Sequence, residues 1–86
     1  MTREKLVTAS EALEQAATTA ADEHRQRIEK QSKDLMQLAE RDLDPDHGRL
    51  DRHMNILREL HDATDNPDIE RAFEHVREYR TGVSGV

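Results

Sequence analysis

The sequence predicts an all-α fold in a single domain spanning residues 1–86, and three observations predict it. The first Pro is Pro45 and the first Gly is Gly48, so no helix breaker interrupts the 44 residues before them. Apolar residues recur at the three-and-four spacing of a helix, with no alternating run of β-branched or aromatic residues to mark a strand. The triplet Asn66-Pro67-Asp68 is a helix start: an N-cap, a proline at the first helical position and an acid in the first turn.

The first helix is expected from about Thr2 to Asp42, with Thr2 as N-cap and Glu4 in the positive first turn. At 100° per residue, Leu6, Ala9, Leu13, Ala16, Ala17, Ala20, His24, Ile28, Gln31, Leu35 and Leu38 form one continuous stripe. A single helix of that length would be roughly 60 Å long at 1.5 Å per residue. Its middle is weak, since residues 22–34 offer only Ile28 as an apolar side chain. A break near Thr18-Thr19, with Thr19 recapping against Asp22, is the competing reading.

The segment from Asp42 to Gly48 reads as a turn, because Pro45 pushes Asp44 out of the helical region and Asp46 can cap the next helix. That second helix is expected over about 48–63. Leu50, His53, Met54, Ile56, Leu57, Leu60 and His61 fall on one side of it. A third, over about 67–80, is expected to bury Ile69, Ala72, Phe73, Val76 and Tyr79, with Gly82 as a stop. Together these predict a helical hairpin or three-helix bundle.

Two short helices cover only part of a 40-residue one. Folded back as a hairpin on residues 24–43, they leave the Ala-rich half over 6–21 without a partner in the chain, and laid end to end they leave a long open seam. Either way the core is expected to be completed by dimerisation. The candidate dimer or partner interface is Leu6, Ala9, Leu13, Ala16, Ala17 and Ala20, where nothing longer than a methyl group separates most of the backbone from a neighbour.

Charge narrows the function. The chain has 19 acidic residues against 13 basic ones and a net charge of -6, which disfavours a general nucleic-acid binder. The basic set is ten Arg and three Lys, and scarce lysine beside abundant acid fits the self-repelling surface of a protein working at high salt. The absence of Cys excludes disulfides, thiolate metal sites and thiol catalysis. No apolar run reaches the length of a membrane span and no signal-peptide pattern opens the chain, so a cytoplasmic location is expected.

Motifs for chemistry are absent. There is no nucleophile elbow, no Gly-rich phosphate loop and no cofactor cradle, so no catalytic or cofactor-binding residue is assigned. Five His raise a metal hypothesis, with His53 and His61 on one helix face and His24 in the first stripe. Neither H-E-x-x-H nor E-x-x-H occurs, however, and no metal site is assigned. Asp42, Asp44 and Asp46 alternate like the start of a calcium loop, but His47 stands where that loop needs Gly and His53 where it needs Glu. Helices two and three could form a helix-turn-helix, yet the outward residues of the last helix, Asp68, Glu70, Arg71, Glu74, Arg77 and Glu78, have the wrong net sign for DNA. The basic residues Arg25, Arg27, Lys30 and Lys33 are explained by i,i+4 pairs, Glu23–Arg27 and Glu29–Lys33.

The opening Leu6-Val7-Thr8-Ala9-Ser10-Glu11-Ala12-Leu13, the turn Asp44-Pro45-Asp46-His47-Gly48 and the closing Glu78-Tyr79-Arg80 resemble a family of short, acidic, uncharacterised haloarchaeal proteins. The resemblance implies a halophilic setting and brings no activity, cofactor or functional residue. The expectation is a non-enzymatic, homodimeric module for binding other proteins or acting as an adaptor. The alternatives are a DNA-associated regulator and a His-based metal binder.

Overall fold

The computed structural model describes residues 4–40 and 47–82. Four helices account for nearly all of them: α1 (Glu4–Thr19), α2 (Asp22–Glu40), α3 (His47–Thr64) and α4 (Pro67–Gly82). There is no strand among the described residues. In the ring the helices make, α1 packs along both α2 and α4, and α3 packs along α4. The fourth side, α2 against α3, meets over only a short stretch.

The first helix is therefore two helices, not one. The chain breaks at Ala20-Ala21, just beyond the pair Thr18-Thr19, and neither Gly nor Pro is involved. Three side chains end α1. The Thr18 hydroxyl donates to the Gln15 carbonyl at 2.6 Å and the Thr19 hydroxyl to that of Ala16 at 3.3 Å. The Arg25 guanidinium then reaches back from α2. Its Nε donates to the Ala17 carbonyl at 3.1 Å and its Nη2 to that of Ala20 at 3.0 Å, while Nη1 holds Asp22 at 2.6 Å. A cation on the carbonyl end of a helix satisfies orphan acceptors and complements the helix dipole. Thr19 does not recap α2. The Ala21 carbonyl accepts the first amides, from His24 and Arg25.

The second predicted helix appears as α3, one residue longer at each end, and the third as α4, extended to Gly82. Asp65 takes a left-handed turn at φ 54° with its amide bonded to the His61 carbonyl. Asn66 caps α4 as its sequence predicts: its side-chain oxygen accepts the Asp68 amide at 2.8 Å. Its side-chain nitrogen also donates to Thr19 Oγ1 at 3.2 Å, tying the α1–α2 and α3–α4 turns together at one end of the molecule. The caps expected at Thr2 and Asp46, the turn around Pro45 and the aspartates of the calcium-like run lie outside the described residues.

Splitting the long helix changes the core. With α2 folded back, the Ala-rich segment is covered within one chain, so its supposed lack of a partner is corrected. The radius of gyration is 12.0 Å, matching the about 12 Å that a single folded domain of this length has. Leu6, Leu13, Ile28, Leu35, Leu50, Leu57, Leu60, Ile69 and Val76 are fully buried, drawing on all four helices. Phe73, expected inside, is only half-buried at the edge of the core, with the Arg58 guanidinium 5.3 Å above its ring.

Candidate functional site

The six residues proposed from sequence as an interface lie inside the fold. Leu6, Ala9, Leu13 and Ala16 are 0% exposed, Ala17 5% and Ala20 8%. Small side chains let α1 and α2 approach closely enough for a reciprocal serine clasp. Ser10 Oγ donates to the Ser32 carbonyl at 2.8 Å, and Ser32 Oγ donates to the Ser10 carbonyl at 3.0 Å. The α1 stripe is thus occupied by the chain's own helices and offers no free face to a second molecule.

The open surface is elsewhere. Between α2 and α3 lies a cavity of about 970 Å³. Its α2 wall carries Lys30, Gln31, Asp34, Gln37 and Leu38, and its α3 wall Gly48, Arg49, Arg52, His53 and Ile56. Two polar residues sit at inward positions here, one from each helix. His53 is 9% exposed and Gln31 6%, and His53 Nδ1 meets Gln31 Oε1 at 2.6 Å. An amide oxygen only accepts, so with that oxygen assigned to the contact Nδ1 carries the proton. Nε2 is then the lone-pair nitrogen, and it has no hydrogen bond among the described residues.

The electrostatics of this site come from its walls. The pKa of His53 is held below its ordinary 6.5, first by burial and then by the charges of Arg52, Lys30 and Arg49; Asp34 pulls the other way. Lys30 Nζ bonds Asp34 at 3.3 Å, which offsets part of both charges. Arg52 is exposed and makes no ion pair among the described residues. At the turn-tied end of the seam, Arg27 and Glu59 pair across the two helices at 3.5 Å.

The charge pairs expected from sequence are redistributed. Arg27 bonds Glu59 rather than Glu23, and Arg25 holds Asp22. Three other histidines are scattered, each beside its own acid: His24 by Glu23 at 3.3 Å, His61 by Asp65 at 3.8 Å and His75 by Glu78 at 3.9 Å. Among the described residues no group of three or more His, Asp or Glu is placed to hold a metal ion. On the outer face of α4, Arg71 is paired with Asp68 and Arg77 with Glu74. No helix among the described residues is long and apolar enough to cross a membrane.

Sequence reasoning placed Gln31 in the apolar stripe and His53 on the apolar face but did not join them. The signal was there: a polar residue at a core position on each of two helices, each directly following a cation, Lys30 and Arg52.

A profile for a family of unknown function, DUF7553, matches residues 1–82. The chain belongs to that family. The match takes in all four helices and brings no assigned activity. No curated protein matches the chain, and no solved structure does.

Proposed function

We propose that the protein is a non-enzymatic helical interaction module whose recognition surface is the α2–α3 seam, and that its partner presents an acidic segment. One observation carries this reading. The seam is the side of the helix ring that packing leaves open, and in a chain of net charge -6 it gathers Lys30, Arg49 and Arg52 around one cavity. Leu38 and Ile56 supply apolar flanks on opposite walls. A groove with apolar edges, a cationic α3 wall and an α2 wall where Lys30 is held by Asp34 fits the acidic, amphipathic helix of another protein.

A second copy of this chain is a poorer occupant. A two-fold axis through the seam would set each copy's Lys30, Arg49 and Arg52 against the same residues of the other, and the α1 stripe that favoured a homodimer is already covered. The lysine-poor acidic composition supports a high-salt cytoplasm as the setting. At molar salt the Debye length is about 3 Å, so cations act only on groups they touch.

The test is a titration of the isotope-labelled chain with an amphipathic helical peptide carrying glutamates, followed by backbone NMR. Shift changes confined to residues 30–38 and 48–56, and lost in Lys30→Glu/Arg52→Glu, are expected. Changes centred on α1 or α4, or none, would overturn the reading. Sedimentation equilibrium in molar KCl and in dilute buffer should return the monomer mass. A dimer mapping to the seam would make a second copy the occupant instead.

A further inference from the structure

We propose that the α2–α3 seam binds an oxyanion on Nε2 of His53, and that the imidazole takes up a proton from solvent as the anion enters. This rests on the seam being the recognition surface, and it names the group recognised there.

The geometry carries the coupling. Gln31 Oε1 fixes the proton of the neutral ring on Nδ1, leaving Nε2 with only a lone pair. A carboxylate or a sulfate also brings only lone pairs, so the two repel unless a proton lies between them. When Nε2 is protonated it becomes a charge-assisted donor, while Nδ1–H keeps its bond to Gln31 unchanged. Gln31 therefore accepts from both forms of the ring and holds it in place through the switch.

The surroundings set the direction. On α2, Lys30 and Asp34 face the ring, and on α3, Arg49 and Arg52. Without an anion, burial and then Arg52, Lys30 and Arg49 favour the neutral ring, while Asp34 favours the charged one. An oxyanion among the three cations offsets the repulsion they exert on an imidazolium, and it replaces part of the solvation that burial removes. Affinity must then rise as pH falls, because the bound form holds one more proton than the free form. This acceptor-only oxyanion chemistry is common to a carboxylate from the acidic partner and to free sulfate.

The experiment follows the histidine Cε1 protons of the full chain by NMR across pH. It is run alone, with sulfate (a dianion throughout the range) and with the glutamate-bearing peptide. The expected result is an upward shift of the His53 titration, with His24, His61 and His75 as internal controls for ionic strength. A rise of one pKa unit corresponds to about tenfold tighter binding at low pH than at high pH. Arg52→Gln alters an exposed side chain and should weaken sulfate by about fourfold, as for one partly screened charge contact. His53→Gln should make any remaining binding independent of pH. If that variant does not fold, the His53 titration in Arg52→Gln still decides.

The outcomes separate the two claims. If sulfate and peptide both raise His53, both claims stand. If sulfate alone does, proton-coupled anion binding stands and the acidic protein partner falls. If the peptide perturbs the seam while His53 stays put in both arms, the oxyanion proposal is overturned and the recognition surface survives. If all histidines move together, or nothing binds, the proposal is overturned as well.

Discussion

The two long sides of α2 behave in opposite ways. Toward α1, two helices are drawn into contact. Five of the seven buried residues of α1 are Ala or Ser, and Ser10 and Ser32 exchange hydrogen bonds with each other's backbone. Toward α3, the inward positions at mid-seam are Gln31 and His53, long polar side chains that bond to each other at 2.6 Å. Around them stand Lys30 and Asp34 on α2 and Arg49 and Arg52 on α3, charged side chains that need room and solvent. The first side closes because many of the side chains facing across it are no larger than Ala or Ser, and the second stays open because its side chains must find room and solvent. Backbone separation in a small bundle is thus set by side-chain length at a few positions per helix, and the open side is where a ligand can enter.

The largest expected effect breaks the closed side. Leu13→Ala removes a fully buried side chain and should cost about 3 kcal/mol, as core leucine truncations do. In a domain this small, most of the stability would go, and urea unfolding followed by circular dichroism measures it. A loss below about 1 kcal/mol, where surface changes fall, would mean that α1 is not packed as described. Ser10→Ala tests the same side more gently. The Ser32 carbonyl loses the Ser10 hydroxyl but stays in the α2 ladder. Ser32 Oγ keeps its bond to the Ser10 carbonyl, so no buried group is orphaned and the expected loss is about 1 kcal/mol.

How much of this was legible depends on whether the cause lay in local chemistry. Asn66-Pro67-Asp68 could be read directly, because proline fixes its own φ and asparagine caps the helix behind it. The break at Ala20-Ala21 could be read only in part. The Thr18-Thr19 pair offered it as the competing reading, and both hydroxyls do bond carbonyls of α1, those of Gln15 and Ala16. The remaining cause is Arg25, a residue in the next helix whose side chain turns back onto the Ala17 and Ala20 carbonyls. The stripe from Leu6 to Leu38 then misled, since both α1 and α2 face one core and their apolar positions stay in phase across the turn. That single misreading produced the unpartnered Ala-rich half, and with it the expectation of a dimer to cover it. Gln31 and His53 were visible as polar residues at core positions. Their pairing was not, because it joins residues on separate helices across a turn whose geometry the sequence does not fix.

The seam is sharpened by pH. The folded-state pKa of His53 lies below its ordinary 6.5, so between the two values the unfolded chain binds more protons than the folded one. Stability is then present in full above about pH 6.5 and declines as pH falls through the folded value. His53→Gln should flatten that part of the profile, leaving stability at neutral pH nearly unchanged if the introduced amide still bonds Gln31. Urea midpoints of both proteins at neutral and mildly acidic pH give the comparison. A wild-type profile no steeper than the variant's would mean that the ring is solvated and that the seam has no buried polar floor.

The smallest expected effect is also the one that separates two explanations of the seam. Arg27 and Glu59 join α2 to α3 at 3.5 Å, with side chains 55% and 69% exposed. An exposed pair at that distance is largely screened, so Arg27→Gln should change stability by less than about 0.5 kcal/mol and by less still at high salt. A larger loss would mean that an ion pair holds α2 and α3 together. The gap would then reflect how weak that attraction is, rather than the bulk and charge of Gln31, His53 and their cationic neighbours. With the small effect, shortening those side chains is the change that should draw the helices together.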